Sequence, residues 1–112
     1  MGLKEYLFGH AAEKKAAKYL ATKGYKILGL NYKTKFGEID IIATSRSTLH
    51  FIEVKATNTA NSAIYRITPA KMTKILRTIE FYFLRKGIMC AYEIDALCID
   101  KDKVELIKNI TL

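Results

Sequence analysis

Asp40, Glu53 and Lys55 are the residues whose types and spacing point most directly to chemistry. The segments 39–44 and 49–55 are rich in β-branched and apolar residues, and Ser45-Arg46-Ser47-Thr48 between them is a polar turn, which predicts an antiparallel hairpin. A loop symmetric about Arg46 and Ser47 sets Asp40 opposite Glu53 and Glu38 opposite Lys55. Side chains alternate across a strand, so Ile39, Ile41, Ile52 and Val54 are expected on a core face and Asp40, Glu53 and Lys55 on the other. Like charges directly opposed, with Cβ atoms about 5 Å apart, destabilise a sheet. Mg²⁺ or Mn²⁺ between the two acids removes that conflict, because such ions are held by one or two carboxylates plus water and substrate phosphate. Lys55 then stands where an ammonium stabilises charge building on a phosphoryl group under attack, or positions the attacking water. The alternative is a solvated hairpin face on which Lys55 offsets the two acids.

The elements around this hairpin decide whether it gains further ligands. The segment from Leu3 to Lys23 is rich in Ala, Leu, Lys and Glu and is followed by Gly24, so a helix is expected. Tyr6, Gly9, Ala16, Ala17 and Leu20 fall at three- and four-residue steps on one face, with Lys14, Lys15 and Lys18 turned away. Glu13 belongs to the inward stripe, and position 17 is Ala, so no Lys one turn on can pair with it. An inward carboxylate must find a partner, since an unpaired buried charge is very costly. His10 is one candidate partner and the metal site is the other.

At this point the residues resemble a family. Gly9 to Gly24, "NYKTKFGEIDII", "FIEVK" and the closing "VELIKNI" look like the YraN-type family of small bacterial proteins, a branch of the PD-(D/E)XK nuclease superfamily similar to archaeal Holliday junction resolvases. The resemblance runs along nearly the whole chain with matching gaps. It implies that Asp40, Glu53 and Lys55 form the motif, that Glu13 on the first helix completes the site, and that the backbone carbonyl of Val54 joins the metal ligands. It also implies a homodimer, since related resolvases cut two symmetric strands. Where relatives carry a basic residue soon after the motif Lys, this chain has Ala56 and Thr57, so Arg66, Lys71 and Lys74 are the cations available to contact phosphate.

Composition is consistent with that direction. The 112 residues are half apolar and suit one domain spanning 1–112. No run approaches the roughly 20 apolar residues of a membrane span, and the start lacks a secretory h-region, so a cytoplasmic location is expected. Cys90 and Cys98 fit no metal-ligand spacing and are taken as reduced, small hydrophobes. A net charge of +8 suggests an anionic partner, nucleic acid first, the alternative being simply a well-charged soluble surface. Lys14, Lys15, Lys18 and Lys23 line the outside of the first helix, while Lys26, Lys33 and Lys35 approach the acidic motif from the preceding strand and turn.

The rest of the chain completes an α/β order. A strand is expected from Tyr25 to Tyr32. Thr68 as N-cap, Pro69 at the first position and Gly87 as stop bound a helix over 70–86 with a core stripe of Met72, Ile75, Leu76, Ile79 and Phe83. Segments 91–100 and 104–108 are a second hairpin, in which Glu93 and Asp95 are taken as surface or secondary acids. The connection 57–67 is polar at first, and its Tyr65 and Arg66 are placed to stack on a base and bind phosphate, or only to be solvated. Ile107, Ile110 and Leu112 either cover a partner or close the core. The expected fold is a restriction-endonuclease-like mixed sheet flanked by helices, in the order α-β-β-β-α-β-β. The expected function is Mg²⁺-dependent endonucleolytic hydrolysis of DNA, branched or otherwise structured, with RNA open as a substrate. The alternative is a DNA-binding or repair-accessory module without turnover; a sugar hydrolase using Asp40 and Glu53 leaves Lys55 and the basic surface without a role.

Overall fold

The hairpin forms in the expected register, and everything else is arranged around it. The computed structural model describes residues 3–56, 67–100 and 103–110, with side chains from residue 11 onward. Strands β2 (Glu38–Ser45) and β3 (Thr48–Ala56) pair antiparallel through Ile41–Ile52, Ile42–Phe51, Ala43–His50, Thr44–Leu49 and Ser45–Thr48. Their turn is only Arg46 and Ser47, at φ 51° and 67°. Two successive positive φ values match the right-handed twist of the strands, although neither residue is glycine.

Helix α1 (Leu3–Thr22), strand β1 (Lys26–Lys33), helix α2 (Pro69–Lys86) and strands β4 (Tyr92–Asp100) and β5 (Lys103–Ile107) complete the order α-β-β-β-α-β-β. The five strands lie in the sequence β1-β2-β3-β4-β5. Only β3 and β4 are parallel, since α2 carries the chain across between them. Helix α2 ends as its sequence demands. The Thr68 hydroxyl accepts the Lys71 amide at 3.1 Å, and Gly87 at φ 65° closes the C-terminus with its N–H on Leu84 O.

Both faces of the sheet are core, which departs from the single core face expected of the hairpin. Ala16 and Leu20 of α1 pack on Ile41, Ala43, Ile52, Leu97 and Ile99. Ile75, Ile79 and Tyr82 of α2 pack on Ile39, Ile42, Phe51 and Ile94. A buried isoleucine contributes about 1.5–3 kcal/mol, so these two layers hold the helices against the sheet. Helix α2 turns Thr78 and Tyr82 inward together with Ile75 and Ile79, while Leu76 stays 36 % exposed and leaves the expected stripe. Ile79, Tyr82 and Phe51 make the aromatic and branched contact that fixes this rotation.

Ile39 is the second correction, and it matters for the site. Strict alternation puts it with Ile41, yet Ile39 belongs to the α2 layer and Ile41 to the α1 layer. The β2–β3 ladder ends at Ile41 and Ile52, whereas β2 keeps pairing with β1 through Tyr32–Ile39 and Lys33–Glu38. The strand therefore parts from β3 just where Asp40 stands. Ile110 packs on the α2 layer, and its N–H donates to Ile94 O at 2.8 Å, so it closes the core. Leu112 lies outside the described residues. Among those residues, no helix is long and apolar enough to cross a membrane.

Candidate functional site

The parting of β2 from β3 exposes backbone groups that the Asp40 side chain takes up. Asp40 Oδ2 accepts the Val54 N–H at 2.8 Å, doing the work of a missing ladder bond. In a strand the N–H and C=O of one residue point to the same side, so the Val54 carbonyl also faces the gap beside Asp40. Helix α1 brings Glu13 to the same place: carboxylate oxygens of Glu13, Glu38 and Asp40 all lie within 4.8 Å of one another. Glu53, on β3, is 4 % exposed. Its Oε2 is 3.8 Å from Lys71 Nζ of α2.

Two buried oxygens of this constellation, Glu13 Oε2 and Glu53 Oε1, have no hydrogen-bond partner among the described residues. Each such atom bears its desolvation cost uncompensated. The acids respond as expected: burial, opposed by the Val54 hydrogen bond and reinforced by Glu13 and Glu38, raises the Asp40 pKa from 3.8 to about 6. Burial and the Asp40 charge raise Glu53 from 4.5 to about 7, against Lys71 and Lys55. Lys55 is shifted the other way, since burial and the adjacent Lys71 disfavour its ammonium more than Glu53 and Asp40 favour it. Four acids and two lysines thus share a site in which Asp40 and Glu53 resist ionisation and Lys55 resists protonation. A divalent cation fits the donor set, because it would satisfy the orphaned oxygens and replace protons on Asp40 and Glu53.

The site opens to solvent. A hollow of about 300 Å³ is lined by Gly37, Glu38, Glu53, Lys71, Lys74 and Ile75. Gly37 lets the β1–β2 turn approach α2 closely, as a Cβ there would meet Thr78 Oγ1 at 3.2 Å and Lys74 Cβ at 3.4 Å. Thr34 holds that turn by accepting the Phe36 and Gly37 amides at 3.1 and 3.3 Å.

The sequence pattern described as uncharacterised protein family UPF0102 matches residues 12–100, a span that includes Glu13, Asp40, Glu53 and Lys55. The chain belongs to the UPF0102 family. It is 50 % identical to a UPF0102 protein of Campylobacter fetus over 111 residues, covering 99 % of each chain. UPF0102 proteins of Campylobacter hominis and Campylobacter concisus are 49 % and 50 % identical, with both partners covered in full.

The basic residues expected near the site of this UPF0102 protein divide into three groups. Lys71 and Lys74 line the hollow beside Glu53. Lys33 pairs across the sheet with Glu38. Lys35 lies over the Phe36 ring and borders a separate hollow with Arg77, Glu80 and Phe81. Arg66 and Tyr65 lie outside the described residues, as does the His10 side chain, the other partner considered for Glu13.

Sequence reasoning passed over two acids. The hairpin register assigns Glu38 only a place facing Lys55, yet it joins Glu13 and Asp40. Its place two residues before Asp40 was the available signal. Asp95, expected to be a surface or secondary acid, is fully buried. Alternating Glu93 and Asp95 in a strand otherwise apolar as far as Ile99, in register with His50 and Ile52, put both acids on the α1 face.

Proposed function

We propose that this protein is a divalent-metal-dependent nuclease of the PD-(D/E)XK type that hydrolyses phosphodiester bonds in DNA, with branched or otherwise structured DNA as the substrate class. The observation that carries this reading is the pair of buried carboxylate oxygens on Glu13 and Glu53, without a hydrogen-bond partner among the described residues, beside Asp40 and with Lys55 and Lys71 alongside. Asp40 and Glu53, with the Val54 carbonyl, would hold Mg²⁺ or Mn²⁺, and Glu13 would complete its shell directly or through water. The bound ion supplies Lewis acidity toward the phosphoryl oxygen and makes water a better nucleophile.

The protein's own residues do the rest. The Val54 amide locks the Asp40 carboxylate in one orientation. Lys55, poised by burial and Lys71 to exchange a proton, positions the attacking water or donates to the phosphoryl oxygen as charge accumulates. Lys74 and Lys71 line the open side, where the flanking phosphates of a strand would run. Net positive charge elsewhere draws in the polyanion. Cutting two symmetric strands would require a homodimer, observable by sedimentation with four-way DNA.

The test is a panel of single-stranded, duplex, forked and four-way DNA, with matched RNA, incubated with the protein and Mg²⁺ or Mn²⁺. Cleavage that disappears in Asp40→Asn at unchanged DNA affinity supports the nuclease. Tight binding with no cleavage of any substrate by the parent protein would reduce it to a binding or accessory module.

A further inference from the structure

At the other end of the sheet, beside the β2–β3 turn, a histidine and two carboxylates converge without a role in the site above. We propose that His50, Glu93 and Asp95 form a second metal site, selective for a divalent transition ion of the Zn²⁺ or Co²⁺ class. Their ligand atoms lie within 4.8 Å of one another. His50 Nδ1 is 2.8 Å from Asp95 Oδ2 and 3.5 Å from Glu93 Oε2. Two ligands bonded at about 2.1 Å to one ion sit roughly 3.0–3.4 Å apart for angles between 90° and tetrahedral, so these separations need only small adjustment.

Charge argues in the same direction. Asp95 is fully buried and His50 is 5 % exposed. Nδ1 carries at most one proton, so it can serve only one of the two carboxylates it faces, Asp95 at 2.8 Å or Glu93 at 3.5 Å. A dication in place of that proton would engage both carboxylates and the imidazole at once.

The donors are also held in place, as a ligand set needs to be. Asp95 Oδ1 accepts the Asn109 N–H at 2.8 Å, which orients its carboxylate. The Tyr25 ring packs edge-on against the imidazole with centroids 5.0 Å apart. Parallel pairing sets His50 beside Glu93 and Ile52 beside Asp95, so both acids flank the imidazole on one face. A hollow of about 310 Å³, lined by His50, Glu93, Lys23, Arg46 and Lys108 among others, offers an entry path. The three cations that line it suit water or a small anion as the remaining ligand. Imidazole favours transition ions over Mg²⁺, so this site and the all-oxygen site differ in selectivity.

The experiment is cobalt titration of the full-length protein in a large excess of Mg²⁺, read by visible absorption and by metal analysis after dialysis, with His50→Gln and Glu93→Gln alongside. One equivalent of Co²⁺ retained against Mg²⁺ is expected, displaced by Zn²⁺ and weakened at least about tenfold in each variant. Asp40→Asn should retain it unchanged, which separates this site from the nuclease reading. Glu93, at the rim, can be replaced without disturbing the buried pair, so it decides the matter if His50→Gln fails to fold. Absence of retained Co²⁺, retention unaffected by Glu93→Gln, or an NMR spectrum in which His50 keeps its Nδ1 proton at saturating Zn²⁺ would overturn the proposal.

Discussion

Replacing Glu53 by Gln should make the metal-free protein more stable while removing its chemistry. Glu53 is 4 % exposed, and burial together with Asp40 raises its pKa from 4.5 to about 7. A raised carboxyl pKa means that the folded state holds the proton more tightly than the unfolded chain. The associated stability is fully present below pH 4.5, is lost as pH rises through about 7, and stays lost above that. A shift of this size corresponds to roughly 3 kcal/mol at 1.36 kcal/mol per pH unit, shared with Asp40 because the two acids titrate as a pair. Gln keeps the shape without the charge but gives up the Lys71 contact at 3.8 Å, so a net gain of about 1–3 kcal/mol is expected at pH 8. Thermal unfolding in chelator should show a midpoint higher by about 4 °C or more. The parent should lose stability between pH 4.5 and 7 more steeply than the variant. Mg²⁺ should raise the parent's midpoint and leave the variant's unchanged. A variant less stable than the parent at pH 8 without metal would refute the claim that the Glu53 charge is held at a cost.

Lys55→Ala should lower single-turnover cleavage by orders of magnitude with Mg²⁺ and DNA affinity nearly unchanged, because only interactions strengthened in the transition state govern the chemical step. A folded variant cutting at the parental rate would leave Lys55 as a counter-charge to the acids. Lys71→Ala and Lys74→Ala should each weaken DNA binding across sequences and reduce the slope of log affinity against log salt by about one, measured by titration at several salt concentrations. Ile79→Ala should cost about 2–5 kcal/mol in denaturant unfolding, and Leu76→Ala under about 1 kcal/mol, since only Ile79 faces the sheet. Equal losses would mean that α2 is rotated differently.

Local sequence determined the elements and one register. Thr68, Pro69 and Gly87 bound α2 because capping and φ preferences act within a turn or two of chain. A short polar turn determined the β2–β3 pairing from Ser45–Thr48 as far as Ile41–Ile52 for the same reason. The inward stripe on α1 marked Glu13 as a carboxylate in need of a partner. What that partner is depended on where α1 crosses the sheet, a matter of packing between segments far apart in the chain. Tertiary structure alone decided that β2 leaves β3 at Asp40, sending Ile39 to the opposite layer from Ile41. It brought Glu38 to Glu13 and placed Lys71 against Glu53 while directing Lys35 elsewhere. Alternation within a strand cannot foresee such a break, because a neighbouring strand takes up the hydrogen bonds. Nor can helix periodicity choose between Leu76 and Tyr82, which lie near the margins of one stripe until Phe51 and the sheet select the rotation. The pairing of His50 with Asp95 is of the same kind: a parallel register set by the α2 crossover joins residues 45 positions apart, and no local pattern records it.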